Sequence, residues 1–287
     1  MEEPKKARWN YARFMRPQAE DNDMRIITLL TDYGLRDSYV AEMKGAILKI
    51  NPEATLVDVS HSVDSYDIRE GAFHLARSVN YFPDGTIHVG VVDPGVGGKR
   101  ASLIFETSKG YLVGPDNGLL APAAERLGVK KVYKITDRSL LPERVSDVFD
   151  GRDTFGPIAA HLSLGEKPGS FGPETDEYMR IPAYSPPIRL NGALEASIIH
   201  IDGFGNLVTN VTYDELFQLG IAPGSMITIT TEARKIRVPY VRSFSAVQVG
   251  ELLALVAGGG YLEISVNQGN AHKLLEINRD EKIRVAA

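Results

Sequence analysis

Short apolar runs alternate with amphipathic segments through the first half of the chain, and this alternation constrains the fold more than any other feature. Residues 26–32 (IITLLTD) have the composition of a strand buried on both faces, and residues 37–50 follow with apolar side chains at helical spacing. The pattern repeats with a strand at 56–60 and a helix at 67–80, and a third strand covers 86–93. Strands and helices that alternate in this way predict βαβ units and a mostly parallel sheet.

The same alternation continues to about residue 165. Further strands are predicted at 101–107, 111–116 and 131–136, and further helices at 117–127 and 153–165. Together these elements predict an α/β domain over residues 24–185. Residues 1–23 are polar and contain no apolar run of the kind found in secretory signals, so they are interpreted as a loose N-terminal extension.

The composition changes near Pro182, where the proline-rich segment 181–192 shows no periodicity and is typical of a linker. Seven strand-like runs follow it, separated by Gly and Pro, at 196–202, 206–211, 225–230, 235–241, 251–256, 261–266 and 282–286. Short strands with these separators favour a small antiparallel barrel or sandwich. We expect an antiparallel β-barrel domain over residues 190–287.

The composition also excludes several classes of protein. The 287-residue chain contains no cysteine, which excludes disulfides, cysteine nucleophiles and Cys-ligated metal centres. Its net charge of −5 argues against a general nucleic-acid partner. No run reaches the ~18 apolar residues of a membrane span, so we expect no membrane association and a cytoplasmic location. No histidine pair has the H-x-x-x-H spacing of a zinc site, so no metal site is expected.

Acidic side chains follow several of the predicted strands. Asp32, Asp58 and Asp93 come at or after the ends of the first three strands, and Asp116 follows a later one. Ligands of open parallel sheets bind outside the carboxyl ends of the strands, so these acids are expected to share one rim. The alternative is that each is a turn or capping residue, since Asp is favoured in both positions.

The segment 93–100 (DPGVGGKR) resembles a glycine-rich phosphate loop but has neither of the usual phosphate-loop spacings. It does place a carboxylate, Asp93, and a fixed cation, Arg100, across a tight turn. Such a pair can hold a water molecule between an acceptor and a donor; the alternative is a structural ion pair. Asp150, in the segment 148–157, lies beside Gly151 at a predicted helix start, where helix capping is the alternative to a functional role.

The polar loop 200–210 of the second domain carries one aromatic residue. Phe204 is suited to stacking on a base, Asn206 to pairing with an amide-like edge, and Asp202 to accepting hydrogen bonds from an ammonium group. The alternative is a β-hairpin turn built from the two glycines of the loop.

Seven segments, in their order along the chain, resemble one family of enzymes. They are TDYGLRDSYVAEMKGAI, DVSHSV, YFPDGTIHVGVVDPGVGGKR, GPDNG, FDGRDTFGPIA, DGFGNLVTN and GELLALVAGGGYLEISVNQG. The family is that of the S-adenosyl-L-methionine (SAM) hydroxide adenosyltransferases, or SAM hydrolases, which are related to the SAM-dependent fluorinase and chlorinase. The resemblance covers the chain from about Arg25 to the C-terminus.

The resemblance implies an activity and an assembly. Water or hydroxide would attack ribose C5′ of SAM in line and release adenosine and L-methionine, without a metal or a cofactor other than the substrate. The family fold combines an N-terminal α/β domain with a C-terminal β-barrel. It forms a homotrimer in which substrate is bound where the first domain of one subunit meets the second domain of the next.

The resemblance also implies roles for individual residues. In the first domain, Asp93 and Arg100 match the pair that orients the attacking water, Asp32 matches the carboxylate that holds the ribose hydroxyls, and Tyr66 matches an aromatic wall of the sugar and sulfonium pocket. In the second domain, Asp202 matches the acceptor for the methionine ammonium group. Phe204 and Asn206 match adenine contacts, and Asn267 falls in the stretch that closes over adenine.

Asp150 departs from the family pattern, because SAM hydrolases have His at this position, in a phrase like FHGRD. The halogenases lack the carboxylate of the DPGVG segment, so Asp93 disfavours a halogenase. Two carboxylates beside one water repel each other, which makes Asp150 a candidate general base. Two alternatives follow: a protein that binds SAM or adenosine with weak or no turnover, and a metal-dependent phosphohydrolase that uses the acidic rim.

Overall fold

The computed structural model describes residues 26–181 and 184–287, so the predicted N-terminal extension 1–23 lies outside the described residues. The chain divides after Ile181 into two units. No helix among the described residues combines the length and the apolar character that a membrane span requires.

A six-stranded sheet organises the first unit. Its strands are β1 (Ile26–Thr31), β2 (Thr55–Ser60), β3 (Thr86–Val91), β4 (Ser102–Thr107), β5 (Gly110–Pro115) and β6 (Val129–Lys134), in the spatial order β2-β1-β3-β5-β4-β6. The pairs β1–β2, β1–β3 and β3–β5 are parallel, and β4 runs antiparallel to both of its neighbours. β4 is reversed because only residues 108 and 109 join it to β5, a connection too short for a parallel crossover. The predicted α/β class with a mostly parallel sheet is confirmed.

Helices cover both faces of this sheet. They are α1 (Tyr39–Ile50), α2 (Ile68–Ser78), α3 (Ala121–Leu127) and α4 (Gly156–Ser163). One apolar core lies under α1 and α4, with Met43, Ile47 and Phe155 among its fully buried side chains, and a second lies under α2 and α3. α4 is preceded by a π-helical turn over Gly151–Phe155. Burial on both faces explains why most residues of β1 and β3 are apolar.

The second unit is an antiparallel, nearly closed barrel. Its strands are β7 (Ile188–Leu190), β8 (Ala193–Ile201), β9 (Leu207–Thr212), β10 (Met226–Thr230), β11 (Lys235–Pro239), β12 (Leu252–Val256), β13 (Tyr261–Val266) and β14 (Lys282–Ala286), and its helices are α5 (Tyr213–Gln218) and α6 (Ala271–Leu275). The strands follow the order β11-β10-β14-β8-β9-β13-β12, and a bridge between Tyr240 and Ala254 connects the two ends.

The seven strands predicted for this unit are observed, and their inward-facing apolar side chains form its core. The structure adds β7, which pairs with β8 inside the segment interpreted as a linker, and the two short helices. β7 is three residues long and all of them are exposed, so no burial pattern marks it in the sequence.

Candidate active site

A cavity of about 250 Å³ opens at the carboxyl ends of β1 and β3. Its lining residues are Asp32, Tyr33, Tyr39, Ser65, Tyr66, Val91, Asp93, Val96, Val148 and Asp150. The last residues of the two strands, Thr31 and Val91, are paired in register, so Asp32 and Asp93 emerge at the same edge. We call this space the reaction cavity; it brings together four of the predicted site residues, namely Asp32, Tyr66, Asp93 and Asp150.

Arg100 joins the two buried carboxylates of the cavity. Its Nε lies 2.9 Å from Asp93 Oδ2 and 3.2 Å from Asp93 Oδ1, and its Nη2 contacts Asp93 and lies 2.5 Å from Asp150 Oδ2. Its Nη1 donates to Ser102 Oγ at 2.8 Å. Burial alone would lower the pKa of Arg100, but the hydrogen bonds that it donates to Asp93 and Asp150 outweigh burial and raise the pKa. The guanidinium is therefore a permanent cation between two carboxylates.

A second guanidinium holds Asp150 from its other side. Arg144 Nη2 pairs with Asp150 Oδ1, and the Thr154 hydroxyl donates to the same oxygen at 2.9 Å. Arg138 Nη1 in turn donates to Thr154 Oγ1 at 2.8 Å. Both oxygens of Asp150 are therefore engaged, and the repulsion from Asp93 that we expected is offset by two cations. The role of Asp150 as a general base stays a prediction.

Tyr33, which directly follows Asp32, is a cavity residue that the sequence analysis missed. Its ring packs edge-to-face on Tyr39 and Phe149, with centroids 6.1 and 5.6 Å away. Its hydroxyl lies against the π-helical turn that begins at Gly151, since a Cβ atom on Gly151 would be only 2.4 Å from Tyr33 Oη. Burial, reinforced by the charges of the three cavity carboxylates, raises the pKa of Tyr33. The hydroxyl thus keeps its proton, and no hydrogen-bond partner is found for it among the described residues.

Asp32 and Tyr66 are linked through the backbone. The Tyr66 amide donates to Asp32 Oδ2 at 2.9 Å, and Tyr66 has a φ of +70°, an unusual value for a residue other than glycine. Its ring is 71% exposed at the mouth of the cavity. The hydrogen bond holds one oxygen of Asp32 and leaves the other for a ligand.

The remaining acids of the predicted rim do not line this cavity. Asp58 binds Lys44 Nζ at 2.7 Å and His61 Nε2 at 3.0 Å; burial alone would raise the pKa of Asp58, but these two partners lower it. Asp116 Oδ1 accepts from the Met179 amide at 2.7 Å, a structural role in a turn. The turn role that was the alternative is observed for Asp116, whereas Asp58 lies within β2 and forms ion pairs.

In the second unit, the predicted loop residues form a tight turn between β8 and β9. Asp202 Oδ1 accepts from the amides of Phe204 and Asn206, both at 2.9 Å, and Asp202 Oδ2 accepts from Asn206 Nδ2 at 2.8 Å. Gly205 has a φ of +84°, and a Cβ there would meet Asn270 at 2.2 Å. Phe204 is 79% exposed, whereas Asn206 is buried. The hairpin turn given above as the alternative is observed, and the side chain of Phe204 is exposed to solvent on it.

Asn267 follows β13 in the same unit. Its Nδ2 donates to Val247 O at 2.9 Å, and its backbone pairs with Gly250 and Glu251. The side chain therefore holds the segment 247–251 in place.

Two family models match this chain. Residues 27–172 match the family model described as SAM hydroxide adenosyltransferase N-terminal domain, and residues 196–284 match the model for the C-terminal domain of the same family. The chain belongs to the SAM hydroxide adenosyltransferase family. The identification made from the sequence motifs is confirmed.

Similar proteins match this chain over most of its length. The (R)-S-adenosyl-L-methionine hydrolase of Methanocaldococcus jannaschii is 36% identical over 273 residues, which cover 92% of this chain and 97% of that protein. The protein of the same name from Salinispora tropica is 38% identical, with 91% and 97% covered. The crystal structure of an uncharacterized conserved protein from Thermotoga maritima superposes with a TM-score of 0.87, at 32% identity and with 91% and 100% covered.

Three side chains of this family member's site were not singled out from the sequence: Tyr33, Arg144 and Thr154. Tyr33 carried a signal, since an aromatic residue next to Asp32 at a strand end must lie close to the same rim. Arg144 carried none, because it lies in an irregular segment and 44 positions from Arg100. It lies six residues before Asp150, but no periodic pattern in that segment shows that the two side chains meet.

Proposed function

We propose that this chain hydrolyses S-adenosyl-L-methionine to adenosine and L-methionine, by in-line attack of water or hydroxide on ribose C5′. The observation that carries the proposal is the Asp93–Arg100–Asp150 group at the wall of a cavity that also holds Asp32. The names of the relatives at 36% and 38% identity, which cover nearly the whole chain, support the same reaction.

The chemistry requires charge complementarity and alignment more than covalent help. A bond forms between the water oxygen and C5′, the C5′–S bond breaks with its electron pair going to sulfur, and one proton leaves to solvent. The sulfonium becomes a neutral thioether. We propose that the open oxygen of Asp32 holds the ribose hydroxyls, and that the exposed ring of Tyr66 forms a wall beside the sugar. Fixing C5′ in line with the water supplies much of the rate enhancement.

We propose that Asp93 and the Tyr33 hydroxyl hold the attacking water. Arg100 fixes the orientation of the Asp93 carboxylate, so that it can accept a hydrogen bond from the water and take its proton. Tyr33 contributes a protonated hydroxyl that lies close to Gly151. Asp150 is held by two guanidinium groups and the Thr154 hydroxyl, whereas the carboxylate of Asp93 pairs with Arg100 alone among the described residues. We therefore propose that Asp150 is a positioning residue for Arg100.

The same contacts disfavour the metal-dependent phosphohydrolase. A divalent cation needs carboxylate oxygens as ligands, whereas the buried oxygens of Asp93 and Asp150 are bonded to guanidinium groups, which a cation would have to displace. We therefore propose turnover that needs no metal and no cofactor. Tight SAM binding without turnover is the second candidate, which the departure at Asp150 raises.

The proposed homotrimer stays a prediction, and so does the cytoplasmic location. In such a trimer, Asp202, Phe204, Asn206 and Asn267 of one copy would serve substrate bound to a neighbouring copy. Light scattering on the purified chain tests the assembly, and three times the chain mass is the expected result.

The activity is tested with purified protein, SAM and EDTA, followed by chromatography of adenosine and methionine. We expect both products in equal amounts, and heavy-oxygen water should place its label on the 5′-hydroxyl of adenosine. Asp93→Asn should lower kcat by about 10²–10⁴-fold, as expected for loss of a general base. The matched control is Asp116→Asn, because Asp116 lies outside the reaction cavity.

Two outcomes would contradict the proposal. Calorimetric SAM binding with no product at high enzyme, together with product from Asp150→His, would show that the chain binds SAM and that Asp150 prevents turnover. Activity that disappears with EDTA and returns with a divalent cation would favour metal chemistry.

A further inference from the structure

A second cavity, of about 320 Å³, shares Asp150 with the reaction cavity and otherwise has its own walls. It is lined by the turn residues 97–102, by Lys134, Ile135, Arg144 and Asp147, and by Asp150. Arg100 lines this second cavity, and its guanidinium donates hydrogen bonds to both Asp93 and Asp150. We call this space the basic cavity.

The basic cavity has more cationic than anionic side chains. Its cations are Lys99, Arg100, Lys134 and Arg144, and its carboxylates are Asp147 and Asp150. Both arginines are committed to carboxylates, Arg144 to Asp147 and Asp150. Neither lysine forms an ion pair with any residue that the structure describes. Two uncompensated ammonium groups in a concave site attract an anion, because the walls focus their field.

The backbone of the turn adds hydrogen-bond donors. The amide of Gly98 donates to Gly95 O, whereas the amides of Gly97 and Lys99 have no acceptor among the described residues. Gly97 has a φ of +74°, and a Cβ there would lie 3.1 Å from Asp147 O, so the turn packs closely against the segment that carries Arg144. Free amides beside lysines are the donor set that phosphate oxygens require, even without a phosphate-loop spacing.

We propose that the basic cavity binds a phosphate group, carried by inorganic phosphate or by a phosphomonoester, at a site separate from that of the substrate. SAM carries a sulfonium cation and no phosphate, so the phosphate ligand of this cavity is not the substrate. It would change the activity of the enzyme from a separate site. Lys99 and Lys134 supply the charge, and the free amides of the turn supply directed donors.

The site is coupled to the reaction through Arg144. An anion in the basic cavity competes with Asp150 for this guanidinium, whose side chain is 34% exposed and therefore able to reorient. Loss of that pair leaves Asp150 with Arg100 and Thr154 alone, which changes the position of Arg100 against Asp93. Phosphate should therefore lower kcat for SAM hydrolysis, while KM stays constant because Arg144 does not line the reaction cavity. This second step rests on the proposed function, whereas phosphate binding does not.

The test is a calorimetric titration of the full-length protein with inorganic phosphate at constant ionic strength, repeated with glycerol phosphate. Saturable binding is expected, and it should weaken roughly tenfold or more in the Lys99→Gln/Lys134→Gln double variant, which removes two charge-assisted contacts. The matched control is Lys109→Gln/Lys235→Gln, which removes two exposed lysines from outside the cavity and changes the net charge equally.

No saturable binding to the wild type, or equal weakening in both double variants, would overturn the site. Binding of glycerol phosphate as tight as that of phosphate would identify a phosphomonoester as ligand, and binding of phosphate alone would identify the free anion. Unchanged kcat at saturating phosphate would overturn the coupling through Arg144. If the chain makes no adenosine at all, the proposed function fails, and the titration still decides the phosphate site.

Discussion

The contact between Tyr33 and Gly151 provides a quantitative test of the site's packing. The substitution Gly151→Ala would place a Cβ atom 2.4 Å from Tyr33 Oη and 3.3 Å from two of its ring carbons. Optimal heavy-atom contacts are about 3.5 Å, so the hydroxyl has to move by about 1 Å. Its ring is held by Tyr39 and Phe149, which restricts that movement.

Overpacking of this kind destabilises a protein by about 1–3 kcal/mol. Gly151 lies in a π-helical turn without a positive φ, so alanine fits its backbone and recovers up to about 1 kcal/mol of that amount. With that gain in full, we expect Gly151→Ala to lower the free energy of unfolding by up to about 2 kcal/mol. Tyr33→Phe removes the colliding oxygen and breaks no hydrogen bond to a described residue, so its own effect should stay below about 0.5 kcal/mol.

The double variant carries the decisive measurement. With the hydroxyl gone, the closest contacts of the new Cβ are the ring carbons at 3.3 Å, a distance that small shifts can accommodate. The double variant Tyr33→Phe/Gly151→Ala should therefore be about 1 kcal/mol more stable to unfolding than the sum of the two single-variant effects predicts. Urea unfolding of the wild type, both single variants and the double variant gives this coupling energy. Additive effects would refute the inference that the hydroxyl and Gly151 share one space.

Three further predictions concern other contacts. Arg144→Gln should lower kcat for SAM several-fold with KM nearly unchanged, since Asp150 keeps Arg100 and Thr154; an unchanged kcat would exclude a positioning role. Burial lowers the pKa of His88 to about 4 from the usual 6.5, so the folded state binds its proton only at lower pH than the unfolded state does. The free energy of unfolding should therefore fall by up to about 3 kcal/mol as the pH drops from 6.5 to 4. In His88→Gln, the free energy of unfolding measured with urea should change less over this pH range. An equal change in the variant and the wild type would contradict the role of His88. Asp67 caps α2 by accepting from the Glu70 amide at 2.9 Å, so Asp67→Ala should lower the melting temperature through loss of about 1 kcal/mol, whereas Asp67→Asn should retain most of it.

Much of the first unit was predictable because local patterns repeat over many residues. The apolar runs of β1 and β3 carry a burial signal of their own, and the spacing in α1 marks one helix face. The position of Asp32 and Asp93 at one edge follows from parallel pairing alone, since neighbouring parallel strands end together. The rim was nevertheless predicted too broadly, because strand ends attract turn-forming Asp residues for reasons of local backbone geometry as well.

The chemistry of Asp150 shows where sequence reasoning stops. Its departure from the family pattern is visible in the sequence, and that departure alone indicated a repelling pair of carboxylates. The structure supplies Arg144 from an irregular segment and Thr154 from the following turn, and these neighbours make Asp150 an acceptor with both oxygens engaged. The effect of a charged group depends on what surrounds it within a few ångströms. Arg144 and Thr154 are near Asp150 in the chain, but no periodic pattern shows that their side chains meet it.

By itself, the sequence determined the fold class, the family and the strand ends that carry the candidate carboxylates, because periodicity and motif order are local properties of the chain. Only the tertiary structure decided which acids line the reaction cavity, that Tyr33 meets Gly151, and that Arg144 joins two cavities through Asp150. Those contacts join residues from separate strands, turns and irregular segments of the chain. Close packing fixes such distances only after the sheet and helices have assembled.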